Sequence, residues 1–313
     1  MLNFLKILLK LICKSFHSSH KRARLSFDVS MEYRILGKTG FKVSVIGMGT
    51  YYDIGYIILA RLFGIRRHKE RSIKAIRLGL ENGINLIDTA EIYETEPLVA
   101  EAIKGFKRDE LFIATKVWPT HLRYKDVIKA CERSLKRLET SYIDLYQIHW
   151  YNSRVPLKET MSAMEYLVDQ GKIRYIGISN FNLQQTAEAM ESLKKYELVS
   201  TQMRYNLIER EIENDIIPFC AKNKIAVLAY YPLAHGRLAK LDPSKEKILF
   251  EIQNKYGNKT PSQIALNWII SKHEHVFPIP RASNPIHVRE NLGAADWRLS
   301  LEDIKLIESI SNR

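Results

Sequence analysis

The chain has 313 residues, of which 46% are apolar, and only three cysteines, at positions 13, 131 and 220. Such sparse and widely spaced cysteines exclude a disulfide framework and a cysteine-based metal site, and they favour a reducing, cytoplasmic location. The net charge is +13, but no basic stripe is interleaved with aromatic residues, so we expect no nucleic-acid partner.

Residues 1–30 differ from the rest of the chain. Six basic residues and one acidic residue give this leader a charge of +5, which leaves +8 for the remainder. Its apolar residues recur at helical spacing and are interrupted by lysines (Leu2, Leu5, Lys6, Leu8, Leu9, Lys10, Ile12, Lys14). The lysines argue against a transmembrane helix, and their position argues against a secretory signal. Two interpretations stay open: a leader outside the folded domain, with Met31 as the true start, or a basic amphipathic helix with weak contact to a membrane surface.

From Met31 onward, short apolar runs alternate with longer helical patterns. The stretch YRILGKTGFKVSVIGMG predicts a β-hairpin that leads into a strand. Eight strand-like runs follow one another, at 43–49, 84–88, 111–116, 143–149, 173–179, 198–203, 225–230 and 275–280. This alternation predicts an α/β fold of the (β/α)₈ TIM-barrel type with an N-terminal β-hairpin over residues 31–313. No GxGxxG sequence follows any of the strands, so a Rossmann domain is not expected.

In a (β/α)₈ barrel the active site lies at the carboxyl ends of the strands. Nearly every predicted strand ends in a side chain that can form a hydrogen bond or stack; these positions are Gly49, Thr50, Asp88, Lys116, His149, Ser179, Asn180, Gln202, Tyr230 and Arg281. Serine and asparagine are also common helix caps, so each of them taken singly could be structural. A lysine that ends a buried strand needs a charge partner, and Asp88 is the expected one.

Asp88, Tyr93, Lys116 and His149 together form a set that can donate protons but contains no strong nucleophile. A phenol has a pKa near 10, and we expect the Lys116 ammonium to lower that of Tyr93. Tyr93 is then the general acid for a carbonyl oxygen, while His149 orients the carbonyl. Neither GxSxG nor HExxH occurs, and no metal site is expected.

The body resembles the aldo-keto reductase family from about Met31 to Arg313. The resemblance is carried by GINLIDTAEIYE, ATKVW, LYQIHW, GKIRYIGISNF, AYYPLAHGRL and IPRASNPIHVRENLGAADWRLS, in this order. It implies a (β/α)₈ barrel that reduces aldehydes and ketones with a nicotinamide cofactor, usually NADPH. It also implies that Asp88, Tyr93, Lys116 and His149 are the catalytic tetrad, in agreement with the chemistry above.

The resemblance further implies a cofactor site that begins near Gly49 and Thr50. Ser179, Asn180 and Gln202 are expected to bind the nicotinamide carboxamide, with Tyr230 stacked on the ring. Further along the cofactor, the loop that passes the pyrophosphate would contain Leu233 and Gly236. The 2′-phosphate would face Arg281 and Ser283. The adenine would face His287, Glu290 and Asn291. An arginine at position 281 favours NADPH. NADH stays possible because Ala282 stands where the family often has serine.

The expected substrate wall is the stretch 51–70, with aromatic surface from Tyr51, Tyr52, Trp118 and Trp150. We therefore expect an NADPH-dependent reductase of small carbonyl compounds. The alternative is a cofactor-binding regulatory or interaction subunit, as in the potassium-channel β-subunits that resemble this family. The sequence predicts neither the physiological substrate nor the oligomeric state.

Overall fold

The computed structural model describes residues 30–234 and 243–311. The predicted leader, apart from Ser30, lies outside these residues, and so do Cys13 and Gly236. None of the helices within the described residues is long and apolar enough to cross a membrane.

An antiparallel hairpin of β1 (Tyr33–Ile35) and β2 (Lys42–Ser44) precedes the barrel. Its loop carries Phe41, whose ring lies 5.3 Å from that of Phe112 (centroid to centroid) at the start of a barrel strand. The hairpin therefore covers the end of the barrel at which the strands begin. The predicted strand 43–49 is divided in the structure: its first residues belong to β2, and only its last two enter the barrel.

Eight parallel strands follow in chain order, each paired with the next. They are β3 (Met48–Gly49), β4 (Leu86–Asp88), β5 (Phe112–Val117), β6 (Ile143–Ile148), β7 (Ile173–Ser179), β8 (Leu198–Arg204), β9 (Ala226–Tyr230) and β10 (Val276–Pro278). Backbone hydrogen bonds of 2.9 Å from Gly47 N to Pro278 O and from Gly49 N to Pro280 O join the first strand to the last. The predicted barrel and its hairpin are confirmed.

The ring closes through a glycine for a steric reason. A Cβ on Gly49 would lie 2.8 Å from the carbonyl oxygen of Ile279, closer than real Cβ atoms approach. Only a residue without a side chain lets these two backbones come near enough to pair.

Helices surround the strands. They are α1 (Ile54–Phe63), α2 (Lys69–Glu81), α3 (Glu96–Ile103), α4 (Tyr124–Leu138), α5 (Leu157–Asp169), α6 (Leu183–Ser192), α7 (Ile216–Asn223), α8 (Pro243–Lys255), α9 (Pro261–Lys272), α10 (Pro285–Leu292) and α11 (Leu301–Ser311). Helix α1 is additional to the alternation, since α2 already connects β3 with β4. Asp53 accepts a hydrogen bond from Tyr56 N at the start of α1, and Gly64 ends the helix with a φ of 69°.

Successive side chains of a strand point to opposite faces, so the residues that pack against the helices alternate with those that face the barrel interior. Along β6, Tyr146 and Ile148 pack in the cluster between sheet and helices, whereas Leu145 packs in the barrel interior. Two and four residues after Leu145, the same inward face carries Gln147 and then His149. Strand β6 therefore delivers an apolar side chain to the interior and polar ones to the carboxyl end.

Candidate active site

A buried ion pair lies at the carboxyl ends of β4 and β5. Lys116 has no exposed surface, and its Nζ donates to both carboxylate oxygens of Asp88 (2.9 and 2.7 Å) and to the carbonyl oxygen of Thr89 (2.8 Å). All three ammonium protons thus have an acceptor. Burial lowers the pKa of Lys116 from its usual value, and the charge of Asp88 opposes that shift.

Tyr93 follows Asp88 on a short 3₁₀ turn (Glu91–Tyr93), which directs its ring over the ion pair. The Lys116 ammonium lies 4.9 Å from the ring centroid, and the phenol oxygen lies 3.2 Å from His149 Nε2. Three successive strand ends therefore bring all four tetrad residues of the sequence prediction together.

His149 is a neutral imidazole. Burial, and secondly the charge of Lys116, lowers its pKa to about 2. Its Nδ1 is buried and has no hydrogen-bond partner among the described residues. An unpaired buried N–H is costly, so the proton is best placed on Nε2, where it points at the Tyr93 oxygen. This tautomer leaves the phenol its own proton to donate into the cavity.

The pKa of Tyr93 is raised well above its usual value, first by burial and then by the charge of Asp88. The prediction that Lys116 lowers this pKa is therefore wrong. The reason is that the ion pair is neutral overall, so Asp88 offsets the field of the ammonium, and desolvation of the phenolate decides the direction. Tyr93 stays protonated at neutral pH.

A polar network continues from the tetrad to the next strands. Gln202 Nε2 donates to Asp88 Oδ1 (2.7 Å), and Asn180 Nδ2 donates to the carbonyl oxygen of His149 (3.0 Å). The Tyr230 hydroxyl donates to Asn180 Oδ1 (2.8 Å), and Ser179 Oγ donates to Gln202 O (3.1 Å). Asn180 adopts a left-handed backbone conformation, with a φ of 60°, which asparagine tolerates better than most residues. These hydrogen bonds hold the side chains of Ser179, Asn180, Gln202 and Tyr230 beside the tetrad.

The tetrad opens into a cavity of about 1150 Å³. Residues of the sequence prediction that line it are Gly49, Tyr51, Tyr52, Asp88, Tyr93, Trp118, His149, Trp150, Ser179, Asn180, Gln202, Tyr230, Leu233, Arg281 and His287. Of the predicted wall 51–70, only Tyr51, Tyr52, Asp53, Ile54 and Ile57 line the cavity. Arg204 and Tyr231 also line it, and the sequence analysis did not assign them. Arg204 lies two residues after Gln202 on β8, so the strand period could have identified it.

Of the other predicted residues that the structure describes, none lines the cavity; these are Thr50, Lys116, Ser283, Glu290 and Asn291. Thr50 is fully buried and hydrogen-bonds the carbonyl oxygen of Asp88 (3.0 Å) and the hydroxyl of Thr95 (2.8 Å). The carboxylate of Glu290 accepts a hydrogen bond of 2.7 Å from Thr260, at the start of α9. Asn291 is buried one residue further along α10, and the expected contacts of these two residues with adenine stay predictions.

Arg281 lines the cavity, as does His287, and two hydrogen bonds hold the Arg281 guanidinium in place. Its Nε donates to Ser283 Oγ (2.9 Å), and another guanidinium N–H donates to the carbonyl oxygen of Tyr52 (2.8 Å). Tyr52 itself is nearly buried, with its hydroxyl donating to Ala282 O (3.3 Å). The hydroxyl of Ser283 therefore orients the guanidinium of Arg281.

Glu91 is a structural support that the sequence did not reveal. Its buried carboxylate accepts from the backbone N–H of Trp118 (2.7 Å) and from His121 Nδ1 (2.8 Å). The Trp118 ring in turn meets that of His149 edge to face, at 5.2 Å between centroids. Glu91 thus connects the turn that carries Tyr93 to the loop that carries the aromatic wall.

Within residues 30–234 and 243–311, no group of three histidine, cysteine, aspartate or glutamate side chains could hold a metal ion. Cys131 and Cys220 are free and buried.

Comparison with known proteins finds matches over most of the chain. The model of the Aldo/keto reductase family matches residues 59–312. The methylglyoxal reductase YeaE of Escherichia coli is 34% identical over 266 residues, covering 84% of this chain and 89% of its own length. The aldo-keto reductase YhdN of Bacillus subtilis is also 34% identical, over 90% of this chain and 93% of its own.

Solved structures agree as well. The thermostable aldo-keto reductase Tm1743, in complex with the inhibitor epalrestat, superimposes with a TM-score of 0.79 at 40% identity and covers 90% of this chain and 100% of its own. An aldo-keto reductase from Klebsiella pneumoniae in complex with NADPH gives a TM-score of 0.79 at 33% identity, over 90% of this chain and 95% of its own.

Proposed function

The chain belongs to the aldo-keto reductase family, whose members are NAD(P)H-dependent oxidoreductases, and from this premise we propose that it reduces aldehydes and ketones with NADPH, using Tyr93 as the acid. The observation that carries the proposal is the hydrogen bond of 3.2 Å between the Tyr93 hydroxyl and His149 Nε2 at the base of the cavity. A carbonyl oxygen that enters there can meet both groups.

Tyr93 donates its proton to the carbonyl oxygen as negative charge develops on it. The neutral His149 donates its Nε2–H toward the same oxygen or toward the phenol, and so fixes the direction in which the carbonyl points. Both groups act from a buried floor, where a hydrogen bond to developing charge is stronger than in water.

Lys116 and Asp88 act on Tyr93 and not on the carbonyl oxygen. The Lys116 ammonium lies 4.9 Å from the centroid of the Tyr93 ring and attracts the phenolate that remains after proton transfer, although burial and the charge of Asp88 outweigh this attraction in the pKa of Tyr93. Asp88 holds that ammonium in place with two hydrogen bonds and keeps it charged. The pair therefore holds a cation beneath the ring of the proton donor.

The residues present fit a nicotinamide cofactor. Preordered polar side chains at Ser179, Asn180 and Gln202 suit the carboxamide, and Tyr230 lines the cavity beside them, where it could stack on the ring. Arg281, oriented by Ser283, offers a guanidinium for the 2′-phosphate. When bound, NADPH supplies the hydride that the tetrad lacks. The Klebsiella relative in complex with NADPH supports this assignment.

Tyr51, Trp118 and Trp150 are the proposed walls for the substrate. The Tyr51 ring lies 5.2 Å from that of Tyr93, and the Trp118 ring lies 5.2 Å from that of His149 (centroid to centroid). Flat apolar walls on both sides of the acid suit small and medium carbonyl compounds. The relative named methylglyoxal reductase makes 2-oxoaldehydes a sensible part of a substrate panel.

The test is oxidation of NADPH with a panel of aldehydes, ketones and methylglyoxal, comparing the wild type with Tyr93→Phe. Tyr146→Phe is the matched control, because it also removes one tyrosine hydroxyl, and this buried hydroxyl has no partner among the described residues. We expect activity in the wild type and the control and a loss of at least ~100-fold in Tyr93→Phe. Binding of NADPH without turnover of any carbonyl would favour the regulatory-subunit alternative.

We also propose that residues 1–30 form a leader outside the catalytic barrel and that the enzyme is cytoplasmic. The free, buried thiols of Cys131 and Cys220 support a reducing compartment. A chain that starts at Met31 is expected to keep the reductase activity of the full chain; loss of activity would contradict the leader assignment.

A further inference from the structure

Helix α1 and the residue that follows its cap expose an apolar ridge. We define the ridge as Ile54, Ile58, Leu62, Phe63 and Ile65, whose exposed fractions are 66, 48, 70, 66 and 53%. Five of the fourteen large exposed apolar side chains among the described residues thus fall within twelve positions. Scattered apolar residues are normal on a surface, but a contiguous group marks a place where something binds.

The ridge belongs to a well-anchored helix. The opposite side of α1 is packed: Tyr56 and Ala60 are buried, and the Tyr56 ring meets that of Tyr52 edge to face at 5.2 Å between centroids. Asp53 caps the first turn and Gly64 ends the last. The helix is therefore apolar on two sides, of which the protein covers only one.

Basic residues border the ridge. From Arg61 to Lys74 the chain has six basic residues and one acidic residue, a net charge of +5. Three carboxylates on or near this surface reduce the excess, since Asp53 pairs with Arg67 (3.0 Å), Glu94 with Arg61 (3.2 Å) and Glu101 with Lys69 (2.8 Å). With these three carboxylates counted, the net charge of the surface is +2. Their basic partners, Arg61, Arg67 and Lys69, have side chains that are about half exposed.

The ridge also reaches the active-site cavity. Ile54, the first residue of the ridge, lines the cavity together with Ile57 on the next turn. An apolar path therefore runs from the exposed face of α1 into the cavity that contains Tyr93. An interface that served only to hold another protein would not need this connection.

We propose that α1 and the loop to Lys69 dock on an anionic lipid bilayer and admit apolar carbonyl compounds to the cavity from it. Aliphatic and aromatic side chains along one helix face, bordered by arginine and lysine, are the arrangement by which helices lie in a bilayer interface. The apolar residues enter the acyl boundary, while the basic side chains extend to the headgroups. The route for apolar aldehydes rests on the proposed function, whereas the docking itself does not.

The experiment measures co-sedimentation of the full chain with vesicles of phosphatidylcholine, with and without about 30% phosphatidylglycerol. The variant Leu62→Gln/Phe63→Gln removes two ridge residues outside the cavity lining. Phe250→Gln/Leu301→Gln is the matched control, because it removes one leucine and one phenylalanine of similar exposure (77 and 61%) elsewhere on the surface. Residues 1–29 are identical in all three proteins, so any binding by the leader is common to them.

We expect the ridge variant to partition into anionic vesicles roughly 10-fold to 100-fold less than the wild type and the control. We also expect its turnover of propanal in solution to be unchanged, and its turnover of dodecanal held in those vesicles to fall. Equal partitioning of all three proteins, or a self-association of the wild type that only the ridge variant loses, would overturn the docking proposal. Absence of turnover with both aldehydes would instead count against the proposed function, because partitioning is measured independently.

Discussion

Replacing Asp88 with asparagine tests the buried ion pair on which the site is built. The substitution keeps the size of the side chain and one oxygen that can accept from Lys116 and Gln202, but it removes the charge and replaces the second acceptor of Lys116 with an amide group that only donates. Lys116 has no exposed surface, so its ammonium would lose its counterion without gaining water. Removing one partner of a buried pair costs about 3–5 kcal/mol, which is a large part of the stability of an ordinary domain.

The loss of unfolding free energy caused by Asp88→Asn must depend on pH. Burial already lowers the pKa of Lys116, and loss of the carboxylate lowers it further. Between this lowered pKa and the unfolded value of about 10.4, the unfolded chain binds more protons than the folded one. The unfolding free energy of the variant therefore rises with pH in this window, by up to ~1.4 kcal/mol per pH unit. Its deficit relative to the wild type narrows until the pH reaches the pKa of Lys116 in the folded wild type.

Urea unfolding of the wild type, Asp88→Asn and Asp88→Asn/Lys116→Met at pH 6, 7, 8 and 9 measures both effects. We expect the double variant to recover much of the lost stability, because it buries no unpaired charge. Unfolding free energies of Asp88→Asn that equal those of the wild type at every pH would refute the reasoning.

Three further predictions concern single groups. The pKa of His149 is lowered to about 2, whereas the unfolded value is near 6.5, so the unfolding free energy should fall as the pH drops below about 6.5. His149→Gln should weaken this pH dependence in urea unfolding. An inflection of kcat/KM near pH 6.5 that disappears in the variant would contradict a neutral His149. Gly49→Ala should cost ~1–3 kcal/mol in urea unfolding, since its Cβ would meet Ile279 O; unchanged stability would show that the ring closure tolerates a side chain. Arg281→Gln should raise the Kd for NADPH about tenfold or more and leave that for NADH nearly unchanged, as fluorescence titration can show; equal losses for both cofactors would remove Arg281 from the 2′-phosphate site.

Much of the site follows from the sequence because parallel strands bring their carboxyl ends to one edge. Asp88, Lys116 and His149 end three consecutive strands, and the period of two points each of them inward. Once a barrel is predicted, their proximity needs no further information. The same rule applied to β8 reaches Gln202 and, two residues later, Arg204.

Other features depend on contacts that no local pattern records. Glu91 accepts a hydrogen bond from the backbone of Trp118, which is far away in sequence, so only the folded chain shows its role. The direction of the Tyr93 pKa shift depends on burial, which outweighs a neighbouring charge that is already paired. Helix α1 had cap residues that could have located it, Asp53 and Gly64, but its apolar run was interpreted only as a pocket wall.

The most direct test of the account is a single turnover of NADPH bound to the enzyme, mixed with an excess of an aldehyde that the wild type reduces. This measurement separates the chemical step from binding and release. We predict that Tyr93→Phe binds NADPH with the affinity of the wild type and oxidises it at least ~100-fold more slowly, while Tyr146→Phe behaves as the wild type. An undiminished single-turnover rate in Tyr93→Phe would contradict the assignment of Tyr93 as the acid.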